Sequence, residues 1–224
     1  KVDSGEIADK EEALGMAAES DIIVAAVGEN VMLCGENRDR QGLRLPGRQE
    51  QYVEELLATG KPVVLVVFGG RAQVISGIAE RCAAVIQAWY PGEEGGNAVA
   101  DILYGNVSPS AKLSVSYPNV ELYEPLCYNT LVEKDPRVQW PFGYGLTYTT
   151  LVYKNLQVND AQTTDDAVEV TFQVKNTGER AADEIVQLYL SPTDSTQQLH
   201  PLQLQGFARV PLEPGQTKTV TTRL

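Results

Sequence analysis

The chain has 224 residues, of which 43% are hydrophobic, and its 30 acidic and 18 basic side chains give a formal net charge of -12. This excess of negative charge disfavours nucleic acids and anionic membranes as partners, because both are polyanions. No apolar run approaches the roughly 20 residues that span a bilayer. The length is large for one compact domain, so we expect two hydrophobic cores and a neutral ligand.

The two ends of the sequence predict a piece of a longer polypeptide. The chain begins at Lys1 without a methionine, and it stops at Leu224 within an alternating pattern. The first residues do not show the basic-then-apolar pattern of a signal peptide, and this carries no conclusion about the compartment. The three cysteines are widely spaced and form no CxxC pair, so the sequence predicts neither a disulfide framework nor a zinc site.

Residues 1–145 alternate between strand-like and helix-like segments. Short continuous runs rich in Val and Ile predict parallel strands covered on both faces; they are residues 21–28, 62–70 and 83–90. Segments with helical spacing or glycine at their ends predict helices; they are residues 8–20, 48–60 and 95–105. This order predicts an α/β domain with a mostly parallel sheet sandwiched by helices.

Ligands of such a sheet bind beyond the carboxyl ends of its strands. The loops expected at that edge are "GENVMLCGENRDR" (28–40), "GGRAQ" (69–73) and "PGEEGGN" (91–97). All three are rich in glycine and charge, so we expect the functional side chains there.

Residues 146–224 have a different period. Five segments alternate apolar and polar residues, with turn signals between them, and predict antiparallel strands; they are residues 151–158, 167–176, 184–191, 202–212 and 218–224. The pattern is typical of an immunoglobulin-like β-sandwich. Such sandwiches have about seven strands, so we expect this one to be truncated at its C-terminus.

Several motifs in order resemble glycoside hydrolase family 3, the β-glucosidase family. They are "VGEN", "GENRDRQGLRLPGRQ", "TGKPVVLVVFGGRA", the stretch from "AVIQAWYPGEEGGN" to "KLSVSYP", and "FGYGLTYTTLVY". The resemblance covers nearly the whole chain. It implies a barrel domain bearing the nucleophile, which this chain lacks, then an α/β sandwich with its first strand missing (1–145), then a fibronectin type III-like domain (146–224).

The same resemblance implies a role for Glu36 in "GENRDR". Many β-glucosidases of the family carry the general acid/base of a retaining mechanism at the matching position. Such an acid must stay protonated near neutral pH, which burial in a cleft and a nearby ionised nucleophile favour. We expect Arg38, Asp39 and Arg40 to brace the turn by ion pairing first and to contact sugar second.

Other acidic residues compete for this role. In some plant members the acid lies in the loop equivalent to "PGEEGGN", so Glu93 or Glu94 is the rival, although Glu94 can instead cap the following helix. Glu29 and Arg71 are further candidates for sugar contacts, and we favour ion pairing for both.

The resemblance implies an exo-acting β-glycosidase that takes terminal β-linked sugars from oligosaccharides or aryl and alkyl β-glycosides through a glycosyl-enzyme intermediate. This piece alone is expected to be inactive. The chemistry requires no metal or organic cofactor, and export to the periplasm or medium is expected. The alternative is a non-catalytic carbohydrate-binding or scaffolding module, with a homodimer as a further possibility.

Overall fold

A computed structural model describes residues 9–122, 126–128, 135–159, 168–191 and 202–223. The described residues divide into two compact units. One contains those up to Val99 together with those in 117–126 and 136–140, and the other contains the rest. The boundary expected after residue 145 stays a prediction.

The first unit is built on a parallel sheet of three strands in the order β1-β2-β3. The strands are β1 (Ile23–Gly28), β2 (Val63–Phe68) and β3 (Ala84–Trp89). Their Val and Ile side chains suit an extended, half-buried backbone. The predicted strand segments therefore contain the observed strands, within two residues at each end.

The helices of the described residues are α1 (Lys10–Glu19), α2 (Gln49–Ala58), α3 (Ser76–Ala79) and α4 (Gly95–Leu103). In α2 the buried residues Gln49, Val53 and Leu56 follow the spacing of one helical face, and the helix packs against β1. Gly60, at φ 75°, follows the end of α2 in the left-handed conformation that glycine tolerates best.

Burial differs between the strands of this sheet. Leu65, Val66 and Val67 of the central strand are at most 1% exposed. Because successive side chains of a strand point to opposite faces, both faces of β2 are covered at this point. β1 instead alternates buried and exposed residues, and Val24 is 51% exposed. The prediction of coverage on both faces therefore holds for the middle of β2. It is wrong for β1, and also for β3, none of whose described residues is buried.

A short antiparallel pair in the first unit was not predicted. It joins β4 (Tyr117–Pro118) to β5 (Val138–Trp140), with the Tyr117 and Trp140 rings edge to face at 5.3 Å. The Tyr117 hydroxyl donates a 2.6 Å hydrogen bond to Gln87 of β3. Strands of two and three residues are too short to produce a readable alternation.

The second unit contains antiparallel strands in two sheets, in the orders β10-β7-β6 and β8-β9. Their bounds are β6 (Leu151–Asn159), β7 (Glu169–Asn176), β8 (Ala182–Leu190), β9 (Gln203–Leu212) and β10 (Thr217–Arg223). Strict alternation along β7 buries every second side chain. The core comprises Val170, Phe172, Val174, Val186, Val210, Leu212 and Val220. None of the helices in the described ranges is long and apolar enough to cross a membrane.

Candidate active site

Glu36 lies in a tight turn in the long loop after β1. The Arg38 N–H donates to the Gly35 carbonyl at 3.1 Å and closes the turn, and Asn37 has a left-handed φ of 57°. Asparagine tolerates this conformation better than most residues. Glu36 is exposed, and its carboxylate has no hydrogen bond or ion pair to any described residue. The turn therefore presents an exposed carboxylate that is not paired with any described residue.

Glu29, the first residue after β1, differs from Glu36 in both burial and pairing. Its side chain is completely buried, and Oε1 lies 2.5 Å from Arg71 Nη1 and 2.7 Å from Arg40 Nη1. Both guanidinium groups are partly exposed. Glu29 is thus an anchor for two arginines and has no open path to a sugar within the first unit.

Arg71, from the loop after β2, connects this anchor to the backbone around Glu36. Its Nη1 donates to the Leu33 carbonyl at 3.1 Å, and its Nη2 donates to the Arg38 carbonyl at 2.9 Å. These carbonyls lie three residues before and two residues after Glu36. The guanidinium therefore spans the turn from both sides.

Of the remaining predicted supports, Arg38 and Arg40 brace the loop from within, whereas Asp39 does not. Arg38 Nη1 donates to the Met32 carbonyl at 3.1 Å, and Arg40 Nη2 donates to the Arg44 carbonyl. Asp39 is exposed, and no described residue makes a hydrogen bond or ion pair with its carboxylate.

The far end of the loop is held by Glu121, which sequence reasoning missed. Its Oε2 accepts from the Leu43 N–H at 2.9 Å, and its Oε1 accepts from the Arg44 N–H at 3.0 Å. Glu121 is 78 residues from Leu43 and has no sequence motif, so no local signal could have identified it.

Gln49, at the start of α2, was also missed. It is buried, and its side-chain amide pairs with both backbone groups of Gly28, at 2.7 Å to the N–H and 3.0 Å to the carbonyl oxygen. The pairing fixes the exit of β1, where the loop begins. A polar residue in the first turn of a helix is ordinarily exposed, so no sequence pattern indicated this contact.

Cys34 and Tyr90 meet above Gly70 at the edge of the loop. A Cβ on Gly70 would lie 3.0 Å from Cys34 Sγ and 2.9 Å from Tyr90 Cε2. The hydrogen bond with Cys34 raises the pKa of Tyr90 to about 12. Tyr90 is 59% exposed and stays protonated at neutral pH, so it can offer a hydroxyl and a ring edge to a ligand.

Glu94, the rival acid, precedes α4. Its Oε2 accepts a 2.5 Å hydrogen bond from Asn97 Nδ2, and its carbonyl accepts from the Ala98 N–H at 2.9 Å. Both contacts tie Glu94 to the first turn of the helix. No three His, Cys, Asp or Glu side chains among the described residues form a group that could hold a metal ion.

This arrangement is suited to proton transfer. The turn offers the exposed carboxylate of Glu36, unpaired within the described part of the chain, beside the ion-paired Glu29, Arg40 and Arg71. Asp39 is a second exposed carboxylate of the same loop that no described residue pairs with. Residues 5–148 match the family model of the glycosyl hydrolase family 3 C-terminal domain, and residues 184–224 match that of the fibronectin type III-like domain. The chain belongs to glycoside hydrolase family 3. The predicted family and fold class are thereby confirmed.

Relatives in the family carry glycosidase names. The chain is 36% identical to a β-xylosidase of Formosa agariphila over 95% of its length, and 33% identical to a periplasmic β-glucosidase of Salmonella typhimurium over 94%. It spans only 31% and 30% of these two proteins.

Solved structures of family 3 enzymes share the fold. A β-glucosidase from Erythrobacter marinus superposes with a TM-score of 0.85 at 36% identity, over 96% of this chain and 31% of that one. The Listeria innocua β-glucosidase in complex with isofagomine gives 0.86 at 28% identity, over 99% and 34%.

Proposed function

We propose that this chain is the part of a retaining, exo-acting β-glycosidase that supplies the general acid/base, with Glu36 in that role. The nucleophile lies on a barrel domain of the same, longer polypeptide. The observation that carries the proposal is the carboxylate of Glu36, unpaired among the described residues, on a turn whose backbone is held on both sides by hydrogen bonds from Arg71 to the Leu33 and Arg38 carbonyls. Membership of family 3 supports the reaction class.

The chemistry assigns Glu36 two successive tasks. In the first step its carboxylic acid protonates the glycosidic oxygen as the nucleophile attacks the anomeric carbon, so that the leaving group departs as an alcohol. In the second step the resulting carboxylate takes a proton from water, which attacks the same carbon and releases the sugar. An acid that serves both steps must reach the bond without being held by another protein group.

This requirement favours Glu36 over Glu94. The Glu94 carboxylate accepts a hydrogen bond from Asn97 in the first turn of α4, so another protein group already holds it. Glu36 has no such partner among the described residues. We therefore assign Glu94 to the helix terminus and Glu36 to proton transfer.

The substrate class follows from the reaction. The enzyme would release terminal, non-reducing, β-linked sugars from oligosaccharides or from aryl and alkyl β-glycosides, and this chain alone would not turn over because it holds only one of the two carboxyl groups. The names of the relatives include both β-glucosidase and β-xylosidase. A periplasmic or secreted location is proposed on the Salmonella typhimurium relative.

The test is Glu36→Ala in the polypeptide that joins this chain to its barrel. Activity is measured on a disaccharide and on an aryl β-glucoside with a good leaving group, with and without azide. We expect a severe loss on the disaccharide, a smaller loss on the aryl glucoside, and formation of a β-glycosyl azide, because only proton transfer is removed.

The matched control is Glu94→Ala, which should leave the ratio of the two activities unchanged. If Glu94→Ala shows the leaving-group pattern and Glu36→Ala does not, the acid lies in the loop before α4. If neither variant affects turnover, the chain acts as a binding or scaffolding module.

A further inference from the structure

Arg71 is the one described arginine whose guanidinium joins a buried carboxylate to the backbone on both sides of Glu36. Its three contacts are 2.5 Å to Glu29 Oε1, 3.1 Å to the Leu33 carbonyl and 2.9 Å to the Arg38 carbonyl. Two of these partners are main-chain atoms. Arg71 therefore fixes the path of the loop and not a particular side chain.

The anchor of this contact is rigid. The Glu29 N–H donates to the Phe68 carbonyl at 2.9 Å, which continues the pairing of β1 with β2, and the Glu29 side chain is completely buried. Arg71 itself follows β2. Glu29 and Arg71 thus follow two adjacent, paired strands. Their contact therefore holds the loop in a fixed position relative to the sheet.

The other arginines near Glu36 cannot supply the same constraint. Arg38 and Arg40 belong to the loop that they brace, and they move with it unless something outside holds them. Arg40 is tied to Glu29, but its second contact is the Arg44 carbonyl at the far end of the loop. Only Arg71 among the three approaches the turn from another element.

We infer that Arg71 is a positioning residue that holds the Glu36 carboxyl in place for proton transfer, with Glu29 as its buried anchor. The inference rests on the proposed role of Glu36. A planar guanidinium presents several donors in a fixed fork, whereas an ammonium is a point charge on a flexible stem. A lysine at position 71 would neutralise Glu29 but could not hold both carbonyls in the same geometry.

The consequence is specific to the proton-transfer step. A carboxyl group displaced by about 1 Å costs roughly 100-fold where its position matters. Departure of a poor leaving group needs the proton, while an activated aryl group leaves with little help. Loss of Arg71 should therefore affect the two substrate types unequally, which a general loss of folded protein would not do.

The experiment compares Arg71→Met and Arg71→Lys in the full polypeptide. We expect kcat/KM on a disaccharide to fall about 100-fold and that on a dinitrophenyl glycoside to fall only a few-fold. The Arg71→Met/Glu36→Ala double variant should be no worse on the disaccharide than Glu36→Ala alone, since the positioned group is already gone. Arg71→Lys keeps the charge beside Glu29 and carries the test if Arg71→Met does not fold.

The matched control is Arg81→Met. Arg81 is exposed, and its partners are Glu54 of α2 and the Gly77 carbonyl, which are not part of the loop, so this variant should leave both activities unchanged. Equal losses of kcat/KM on both substrates in Arg71→Lys would overturn the positioning role. So would a double variant in which the losses of Arg71→Met and Glu36→Ala multiply. Neither outcome contradicts the assignment of Glu36 as the acid. A Glu36→Ala variant without the leaving-group pattern would overturn both.

Discussion

Glu29 and Arg71 are 42 residues apart in the sequence, yet Glu29 Oε1 and Arg71 Nη1 lie 2.5 Å apart and the Glu29 side chain is completely buried. Arg40 contacts the same oxygen at 2.7 Å. A buried carboxylate shared by two arginines is stable only while the opposite charges remain together. This relationship decides how the loop that carries Glu36 is held, and it has consequences for stability as well as for activity.

Replacement of Glu29 by leucine should strongly destabilise the chain. The apolar side chain leaves two guanidinium groups without their carboxylate. Both are partly exposed and can hydrate, so we expect a loss of about 2–3 kcal/mol from the charged hydrogen bonds. Urea unfolding of Glu29→Leu measures the change. The control is Glu80→Leu on an exposed site, expected within about 0.5 kcal/mol of the parent. A loss below about 1 kcal/mol for Glu29→Leu would mean that the pair adds little to the folded state.

Gly28 allows no side chain. A Cβ there would lie 1.8 Å from the Phe68 carbonyl oxygen, and the φ of 129° is open to glycine but strained for other residues. We expect Gly28→Ala to cost about 3 kcal/mol or more, because strain and the backbone clash add.

Thermal unfolding tests this expectation. Gly28→Ala should lower the midpoint by at least about 6 °C. Gly15→Ala in α1 is the matched control, since nothing lies within 4 Å of its added Cβ and alanine favours a helix. It should unfold at the parent temperature or slightly above. Equal midpoints for the two variants would show that the β1 and β2 backbones can separate at this point.

Tyr117 should make stability depend on alkaline pH. Burial raises its pKa to about 12 from the ordinary 10.0, so the folded state retains the phenol proton more tightly than the unfolded chain. Its contribution is fully present below pH 10 and is lost as pH rises through about 12. The free energy of unfolding should therefore fall by about 2 kcal/mol more in the parent than in Tyr117→Phe between pH 9 and pH 12.

Urea unfolding at several pH values measures this difference. Tyr104→Phe is the control, because its ring is 84% exposed, and its curve should run parallel to that of the parent. Tyr117→Phe also loses the hydrogen bond to Gln87, which lowers stability at every pH by about 1 kcal/mol without changing the slope. A Tyr117→Phe curve parallel to the parent would contradict the prediction.

Replacement of Asn176 by a charged side chain should destabilise the second unit. It is 0% exposed, its Nδ2 donates to two backbone carbonyls, and its Oδ1 accepts from a hydroxyl and an N–H. The partners are Arg180 and Leu212 for Nδ2, and Thr149 and Gly178 for Oδ1. Every donor and acceptor of the amide group is used, so the side chain fixes the end of β7.

Asn176→Asp replaces the amide donors with an oxygen that faces two carbonyl oxygens. We expect a loss of about 3 kcal/mol or more, since buried acceptors are left unsatisfied beside a buried acid. Calorimetry should show a lower unfolding midpoint, while Asn155→Asp at an exposed site should change it little. Similar midpoints for the two variants would exclude Asn176 as a fixed point of the sandwich.

The sequence predicted most secondary structure because that information is local. Local sequence shows both the continuous apolar runs of β1, β2 and β3 and the alternation of β7, in which every second side chain is buried. The short helix α3 and the pair of β4 with β5 went unpredicted, since four, two and three residues are too few to show a period. The family motifs also identified the Glu36 loop before any geometry was available.

The sequence by itself determined the fold class, the family and the loop that bears the proposed acid. Only the tertiary structure decided which acids are already engaged. Glu29 and Glu121 bind partners 42 and 78 residues away, whereas Glu36 in the same unit has none among the described residues. Periodicity reports which face a residue occupies, but the partner of a buried charge depends on which loops the folded sheet brings together, and no local pattern encodes that.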